Sequence, residues 1–342
     1  MEPEERKRYS RQIILPELGL SGQEKLKAAK VLVIGAGGLG CPVLQYLTAG
    51  GVGTIGIVDD DIVTISNLHR QILYSAEDIG KGKAQTAREK LSLSNPFINF
   101  NIFPLRLDSE NASAIIANYD LVIDGSDNFP TRYLANDTCV ELDKSLVFGS
   151  ILRFEGQLSV FNYKGGPTYR CLFPEAEEGD NCAEAGVIGI LPGIIGTYMA
   201  NEAIKIICGI GEPLSGKLMV INSLTNETNI FLFERSVNLN TPKIIHNPVV
   251  TQSKSSEEIS FDDFEHLQQS DPDSLMLIDV REEYEYEEDF VGGINIPLPE
   301  LAENITKMPA DKTVIFYCRS GARSLMAVNL LKKTILKEKA IG

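Results

Sequence analysis

The sequence predicts a doubly wound, largely parallel α/β sheet with an antiparallel extension, followed by a second, smaller α/β unit. Three observations carry this. From residue 30 to about residue 145, strand-length apolar runs alternate with helical stretches, the pattern of a sheet covered on both faces. Period-two runs then take over in LVFGSILRFEGQLSVFNY and KLMVINSLTNETNIFLFER, as expected of half-buried antiparallel strands. After a polar, serine-rich stretch at residues 243–256, the strand and helix alternation starts again in the last 86 residues.

The stretch from Lys30 to Arg70 organises the first unit. Val31 to Ile34 has strand length and feeds the turn Gly35-Ala36-Gly37-Gly38-Leu39-Gly40, with a helical stretch following to about Tyr46. A second apolar run, Thr54 to Val58, ends in Asp59, 24 residues past the first glycine. In a βαβ nucleotide site the glycines let backbone N–H groups approach phosphate at a helix N-terminus, and the acid accepts from a ribose hydroxyl. An isolated turn of this kind also reads as a tight strand-to-helix connection. Its place between two strands, with an acid at that spacing, favours a nucleotide.

The remaining elements follow in order. Glu4 to Ala29 is helical and amphipathic, broken near Leu15-Pro16, and carries Arg8 and Arg11 close together. Beyond the βαβ unit lie a polar connection, Ser66 to Gln71, and a basic helix from Lys81 to about Leu93 that includes Lys83, Arg88 and Lys90. A strand is predicted over Asn99–Leu105, a short helix over Asn111–Ala117, and a buried strand over Leu121–Ile123 that runs into Asp124-Gly125-Ser126-Asp127-Asn128. Asp127 is a candidate cap for the helix beginning at Phe129. The acidic stretch RCLFPEAEEGDNCAEAG suits neither helix nor strand, whereas Ile190 to Ile207 reads as an apolar helix with Pro192 in its first turn, either core or a subunit interface. The tail runs as a helix in SFDDFEHLQQ, a strand in SLMLIDV, a short helix near Leu301, a strand in TVIFYC, a loop RSGARS and a helix in LMAVNLLKKTILK.

Composition narrows the function. At 342 residues and 43% hydrophobic content the chain suits one large or two ordinary globular domains. A net charge of -15 argues against nucleic acid or an anionic membrane as a partner. The last 86 residues hold 18 acidic and 9 basic side chains, which sets them apart from the rest. No apolar run reaches the ~20 residues of a membrane span, and MEPEERKRYSRQ has no signal-peptide core, so a cytoplasmic protein is expected. Six cysteines in a chain of this size do not form a disulfide framework, and any special one is reactive or a metal ligand.

Five polar residues, Asp59, Asn67, Arg70, Lys83 and Asp127, are predicted near the strand C-terminal ends. Hydride transfer to a dinucleotide asks for one acid and few cations. Two cations beside two acids suit a triphosphate with Mg²⁺, where charge is neutralised at the transferring phosphorus. The chemistry suggested is nucleotidyl transfer, although each residue taken singly has a plainer explanation: Lys83 as an exposed helix lysine, Arg70 as a surface charge.

The stretches RYSRQIILPELG, GAGGLGCP, GVGTIGIVDDD, SNLHRQ, GKGK, DGSDNFPTRYLAND, GSILRFEGQLSVFNY, YRCLFP, CAEAGVIG and LPGIIGT, in this order, resemble the MoeB/ThiF family of bacterial enzymes related to ubiquitin-activating enzymes, over about residues 5 to 235. The resemblance implies a Rossmann-like ATP-binding sheet and a homodimer. It further implies that a small β-grasp sulfur carrier, of the molybdopterin-synthase small-subunit type, offers its C-terminal Gly-Gly carboxylate to the α-phosphorus of ATP, giving an acyl-adenylate and pyrophosphate. By the same resemblance Gly38 lies against the phosphates and Asp59 holds the ribose. Asn67, Arg70 and Lys83 hold the triphosphate, Asp127 binds Mg²⁺, and Arg11 reaches in from the partner subunit. No general base is needed, since a carboxylate is already ionised near pH 7. Cys182 falls on the family's crossover loop, where a cysteine joins the carrier covalently in some members and is dispensable in others. Members commonly hold zinc through two C-x-x-C pairs. Here the first pair keeps only Cys171, and the second position reads Thr241-Pro242-Lys243-Ile244. Tetrahedral zinc needs four ligands, so no zinc site is expected.

In the tail, Cys318-Arg319-Ser320-Gly321-Ala322-Arg323 follows a strand and precedes a helix. Loop N–H groups, the helix N-terminus and two arginines favour a thiolate there. With Asp279-Val280-Arg281-Glu282 upstream, the segment resembles a rhodanese domain, whose cysteine carries a persulfide. The spacing from Cys318 to Arg323 fits the sulfur version of this loop, since related phosphatases use one residue more. The family continues through a further strand and closing helix, and often has histidine where EEDFVGG stands, so a C-terminally truncated domain is expected. The expected boundaries are residues 1–242 for the adenylyltransferase domain, 243–256 for the linker and 257–342 for the rhodanese-like domain, with the linker making sulfur delivery intramolecular. Two alternatives remain beside this reading: activation of the thiazole-pathway carrier, and a catalytically silent scaffold that binds carriers. A plain NAD dehydrogenase is the outsider.

Overall fold

The computed structural model describes residues 1–174, 186–235, 259, 264, 274–289, 291–305, 308–309, 312–318 and 321–341. Cys182, the 243–256 stretch, Arg319 and most of SFDDFEHLQQ lie outside them. The chain divides into two compact units, Met1–His246 and Asn247–Gly342.

In the first unit, three short helices, α1 (Pro3–Arg8), α2 (Ser10–Ile13) and α3 (Gly19–Ala28), precede the sheet. The strands are β1 (Lys30–Ile34), β2 (Thr54–Val58), β3 (Asn99–Phe103), β4 (Leu121–Asp124), β5 (Ser145–Leu152), β6 (Glu155–Phe161), β7 (Lys217–Asn222) and β8 (Thr228–Leu232). Their order is β3-β2-β1-β4-β5-β6-β7-β8. The first five strands pair in parallel, and β6, β7 and β8 extend the sheet antiparallel. Ile34 stands opposite both Val58 and Asp124, so β1, β2 and β4 end level and the segments that follow them share one sheet edge.

Alternation along β1 divides the core. Val31 and Val33 point to one face with Ile55 and Ile57, under helices α4 (Gly40–Gly50) and α9 (Leu191–Cys208). Leu32 and Ile34 point to the other with Val58, under α6 (Ala112–Ile116) and α7 (Phe129–Glu141). That period-two division is why β1 reads as an unbroken apolar run: both its faces are covered.

The glycine turn is sterically closed. Gly35 has φ +87°, in the left-handed region, and a Cβ on Gly40 would stand 2.0 Å from the Gly35 carbonyl oxygen. Gly40→Ala therefore forces a backbone shift in the centre of the sheet. It is expected to cost about 3 kcal/mol or more, measurable as a drop in the urea midpoint.

Several boundaries differ from the sequence expectation, for identifiable reasons. Helix α4 runs to Gly50 rather than Tyr46, because Leu47 and Thr48 are buried, and it stops at Gly51, a left-handed C-cap with φ 89°. Helix α5 (Lys83–Ser94) starts two residues after Lys81, whose ammonium pairs with Asp78 at 3.2 Å instead. Strand β3 ends at Phe103, short of Leu105. Asn128, not Asp127, caps α7, accepting the Thr131 N–H at 3.0 Å. Helix α9 begins with Pro192 in its first turn, as expected, and is largely buried against α4, β5 and β6.

The lobe containing Cys171 is packed from rings. Tyr169 stands 4.8 Å from Phe173, 5.1 Å from Tyr133 and 5.2 Å from Phe148, centroid to centroid. Cys171 lies on the short helix α8 (Tyr169–Leu172), and its Sγ accepts the Thr168 N–H at 3.4 Å. Residues 241–244 lie outside the described residues.

The second unit has a three-stranded parallel sheet of order β10-β9-β11, from β9 (Leu275–Asp279), β10 (Ile294–Asn295) and β11 (Thr313–Tyr317). Its buried residues include Ile278, Val280, Leu301, Ile305, Phe316 and Ala327. A helix over Ala322–Ile341, longer than LMAVNLLKKTILK suggested, follows the Cys318 loop.

Candidate functional site

Two groups of side chains hang on the glycine turn. The first gathers at Ala36. Asp59, one residue past β2, accepts the Ala36 N–H at 2.7 Å and the Asp61 N–H at 2.9 Å. Burial pushes its carboxyl above the usual carboxylate range, while the neighbouring Lys83 charge and the two N–H bonds act against that rise. Lys83 is the first residue of α5 and only 4% exposed, which rules out a solvated surface lysine. Its ammonium donates at 2.8 Å to Asp61, which is 70% exposed. Tyr74 joins the group to the turn, its hydroxyl shared between the Ala36 carbonyl at 2.8 Å and the Lys83 carbonyl at 3.3 Å. Burial also drives the nearby Cys41 thiol up to about 12, making it an inert core residue.

The second group gathers at Gly38. A Cβ there would press on Pro192 of α9 at 3.1 Å and touch Cδ of Arg70 at an ordinary contact distance of 3.7 Å, so the turn runs close beneath both side chains. Arg70 donates to Asn67 Oδ1 at 2.7 Å and to the Ser66 carbonyl at 3.3 Å, fixing its guanidinium from its own loop. Partial burial lowers the guanidinium's pKa, and the facing charge of Asp127 opposes that. Asp127 is exposed, with the Asn128 side chain 3.4 Å from its carboxylate.

Thus Gly38, Asp59, Asn67, Arg70, Lys83 and Asp127 share one end of the sheet around a single turn. Arg11 does not join them within this chain: it is exposed on α2. Cys182 lies outside the described residues.

Three residues of this region were not singled out from sequence. Gln71 is 3% exposed, with Nε2 3.5 Å from where a Gly37 Cβ would be and Oε1 buried with no hydrogen-bond partner among the described residues. Its place beside Arg70 in SNLHRQ was the available signal. Tyr74 is the second. Arg132 is the third: buried, it donates to the Ser126 carbonyl at 3.2 Å and sits near the rings of Phe129 and Phe148, at 5.4 and 5.6 Å. Asp124, whose carboxyl burial pushes up and Arg132 pulls back, accepts the Ser126 N–H at 2.9 Å. This buried pair underlies the loop that carries Asp127.

In the second unit Cys318 directly follows β11. Its sulfur accepts N–H groups from Gly321 at 3.2 Å and Ser324 at 3.4 Å. Of the two arginines expected around it, Arg323 is engaged by Glu285, at 2.6 and 2.9 Å. Arg319 lies outside the described residues. Asp279 and Arg281 close on each other at 2.6 to 3.0 Å at the end of β9.

Comparison with known proteins agrees with both halves. Residues 9–241 match the ThiF family and residues 260–341 the rhodanese-like domain. A probable molybdopterin-synthase adenylyltransferase of Porphyra purpurea is 43% identical over 349 residues, covering 98% of this chain and 90% of that protein. A sulfur carrier protein adenylyltransferase of Thermus thermophilus is 54% identical over 229 residues, covering 65% of this chain and 84% of its own length. The probable adenylyltransferase/sulfurtransferase MoeZ of Mycobacterium tuberculosis is 42% identical over 351 residues, 96% of this chain and 89% of that one. Among solved structures, E. coli MccB crystallised with ATP shares the fold, with a TM-score of 0.60 and 24% identity over 67% of this chain and 72% of that chain. On these matches, the chain belongs to the ThiF family and carries a rhodanese-like domain on its C-terminal side.

Proposed function

We propose that the chain adenylylates the C-terminal Gly-Gly of a β-grasp sulfur-carrier protein of the molybdopterin-synthase small-subunit type, using ATP, and that its rhodanese-like domain transfers sulfur through Cys318. The observation that carries the first part is the meeting of two cations, Arg70 and Lys83, with Asp59 and Asp127 on one glycine turn. A carboxylate oxygen of the carrier bonds to the α-phosphorus of ATP, the bond from that phosphorus to the bridging oxygen breaks, and pyrophosphate leaves with the electron pair. No proton has to move. Negative charge shifts onto the leaving phosphates, and that is the charge Arg70 and Lys83 meet. Asp59 accepts from a ribose hydroxyl, Asn67 and Arg70 hold phosphate oxygens, and the backbone at Gly38 lies against them.

Asp127 is the residue that would hold Mg²⁺. An exposed single carboxylate at a strand end suits this ion, which takes its other ligands from water and substrate phosphates. Bound there, it would supply further neutralisation of the triphosphate. Arg11 is assigned to the site of the partner in a homodimer, and exposed Ile14 and Leu15 beside it support a covered surface. A cytoplasmic setting agrees with the buried Cys41, Cys139 and Cys208 being free thiols. Cys182 is assigned to the crossover loop. Zinc has no part in the reading.

ATP–pyrophosphate exchange with purified carriers tests it. Exchange stimulated by the molybdopterin-type carrier is expected. Exchange with the thiazole-pathway carrier alone would reassign the substrate, and exchange with neither would overturn the reading.

A further inference from the structure

Asp61 touches two of the residues assigned to the nucleotide, and does so through three different groups. Its N–H donates to Asp59 Oδ1 at 2.9 Å, its carbonyl accepts the Lys83 N–H at 2.9 Å, and its carboxylate accepts from the Lys83 ammonium at 2.8 Å. The first two bonds use Asp61's backbone. They continue into a short antiparallel stretch, in which Ile62 bridges Gly82 and Val63 exchanges bonds with Lys81 and Gly80 at 2.9 Å each. The Tyr74 hydroxyl ties the Lys83 carbonyl to the glycine turn as well. The backbone of Lys83 is therefore fixed without help from the Asp61 carboxylate.

The Lys83 side chain is not fixed by those bonds. Four torsions separate its ammonium from the backbone, and holding such a chain in one rotamer is entropically unfavourable. The carboxylate of Asp61 supplies the hold, with Asp59 close enough for its charge to interact with the ammonium. The two partners are unequally placed, Lys83 being 4% and Asp61 70% exposed. Water screens a carboxylate that exposed, so it repels an incoming triphosphate only weakly. Its bond to the buried ammonium still has a direction. An ammonium has three N–H donors, and Asp61 takes one, which leaves two for phosphate oxygens.

We propose that Asp61 is a positioning residue for Lys83, its carboxylate holding the ammonium beside Asp59 in the orientation that meets the leaving phosphates. A cation already in place stabilises developing charge without reorganising at the moment of reaction. Asp61 itself touches neither ribose nor phosphate in this arrangement. A rival route runs through Asp59, whose carboxyl is raised by burial and then by the charge of Asp61. The two routes differ in whether Lys83 is needed, and a double-mutant cycle reads that difference directly.

The inference rests on Lys83 facing the triphosphate, and carrier-dependent ATP–pyrophosphate exchange by the full-length chain tests the two separately. Parent-like exchange in Lys83→Met overturns that reading and the inference with it. With Lys83→Met slow, Asp61→Ala is expected to lower kcat about tenfold in the parent and less than about twofold in the Lys83→Met background, with the urea midpoint unchanged. Asp61→Asn, which removes the charge and keeps the shape, serves in the same cycle if the alanine variant fails to fold. An equal fall in both backgrounds overturns the assignment, because Asp61 then acts through Asp59 or through the fold. Parent-like exchange in Asp61→Ala overturns it too. So does a several-fold lower KM for ATP, the mark of a carboxylate that competes with the phosphates for Lys83.

Discussion

Asp127→Ala is expected to reduce carrier-dependent ATP–pyrophosphate exchange by a factor of 10³ or more, with the fold unchanged. The two halves of that expectation rest on different contacts. The carboxylate is exposed, and Asn128 rather than Asp127 caps α7, so its loss removes no structural bond of consequence and stability stays within about 0.5 kcal/mol of the parent. Its charge, however, faces Arg70 in the region assigned to the triphosphate. Removing one preorganised stabiliser of developing charge costs about 10²–10³ in rate, and loss of the metal-holding group adds to this. Exchange measured at saturating ATP, beside a urea unfolding curve, separates the halves. Parent-like exchange would mean that Asp127 has no part in holding the metal, and would favour the silent carrier-binding scaffold.

Lys83→Met should show the same separation from the opposite starting point, because Lys83 is buried. A buried lysine carries a desolvation cost, and its partner Asp61 is largely exposed, which limits the pair to about 1 kcal/mol or less. Methionine fills the space of the alkyl stem. Stability should therefore change by no more than about 1 kcal/mol, while exchange falls about 10²–10³-fold through loss of the cation opposite the leaving phosphates. A variant that loses stability and keeps its rate would make Lys83 a structural residue only.

The legible parts of this molecule were those set by local pattern. The run Val31–Ile34 is apolar at every position, and Thr54–Val58 nearly so, because β1 and β2 are covered on both faces, and the turn between them shows its glycines openly. That placed Gly38 and Asp59 at one edge before any coordinates. What escaped were facts decided by tertiary contact. Lys83 is a candidate from sequence, but its plainer reading as one more lysine of a basic helix is excluded only by its burial and its pairing with Asp61, more than twenty residues away. Asp127 and Asn128 are both good helix caps, and nothing local chooses between them. Gln71 and Arg132 carry no periodic signature of their own; burial beside Gly37 and beneath Ser126 distinguishes them. The Arg323–Glu285 pair joins residues 38 apart in sequence, so the loop motif, which gives Arg323 to the sulfur, does not show that Glu285 also engages it.

The central claim is that a carrier carboxylate attacks the α-phosphorus of ATP at the Gly38–Arg70–Lys83–Asp127 cleft. A carrier labelled with ¹⁸O in its C-terminal carboxylate tests it most directly, by analysing the nucleotide released when the activated carrier is cleaved by an added thiol. The account predicts pyrophosphate in the first step and AMP carrying ¹⁸O in the second, in equal amounts. ADP with labelled orthophosphate, the mark of attack at the γ-phosphorus, would contradict it.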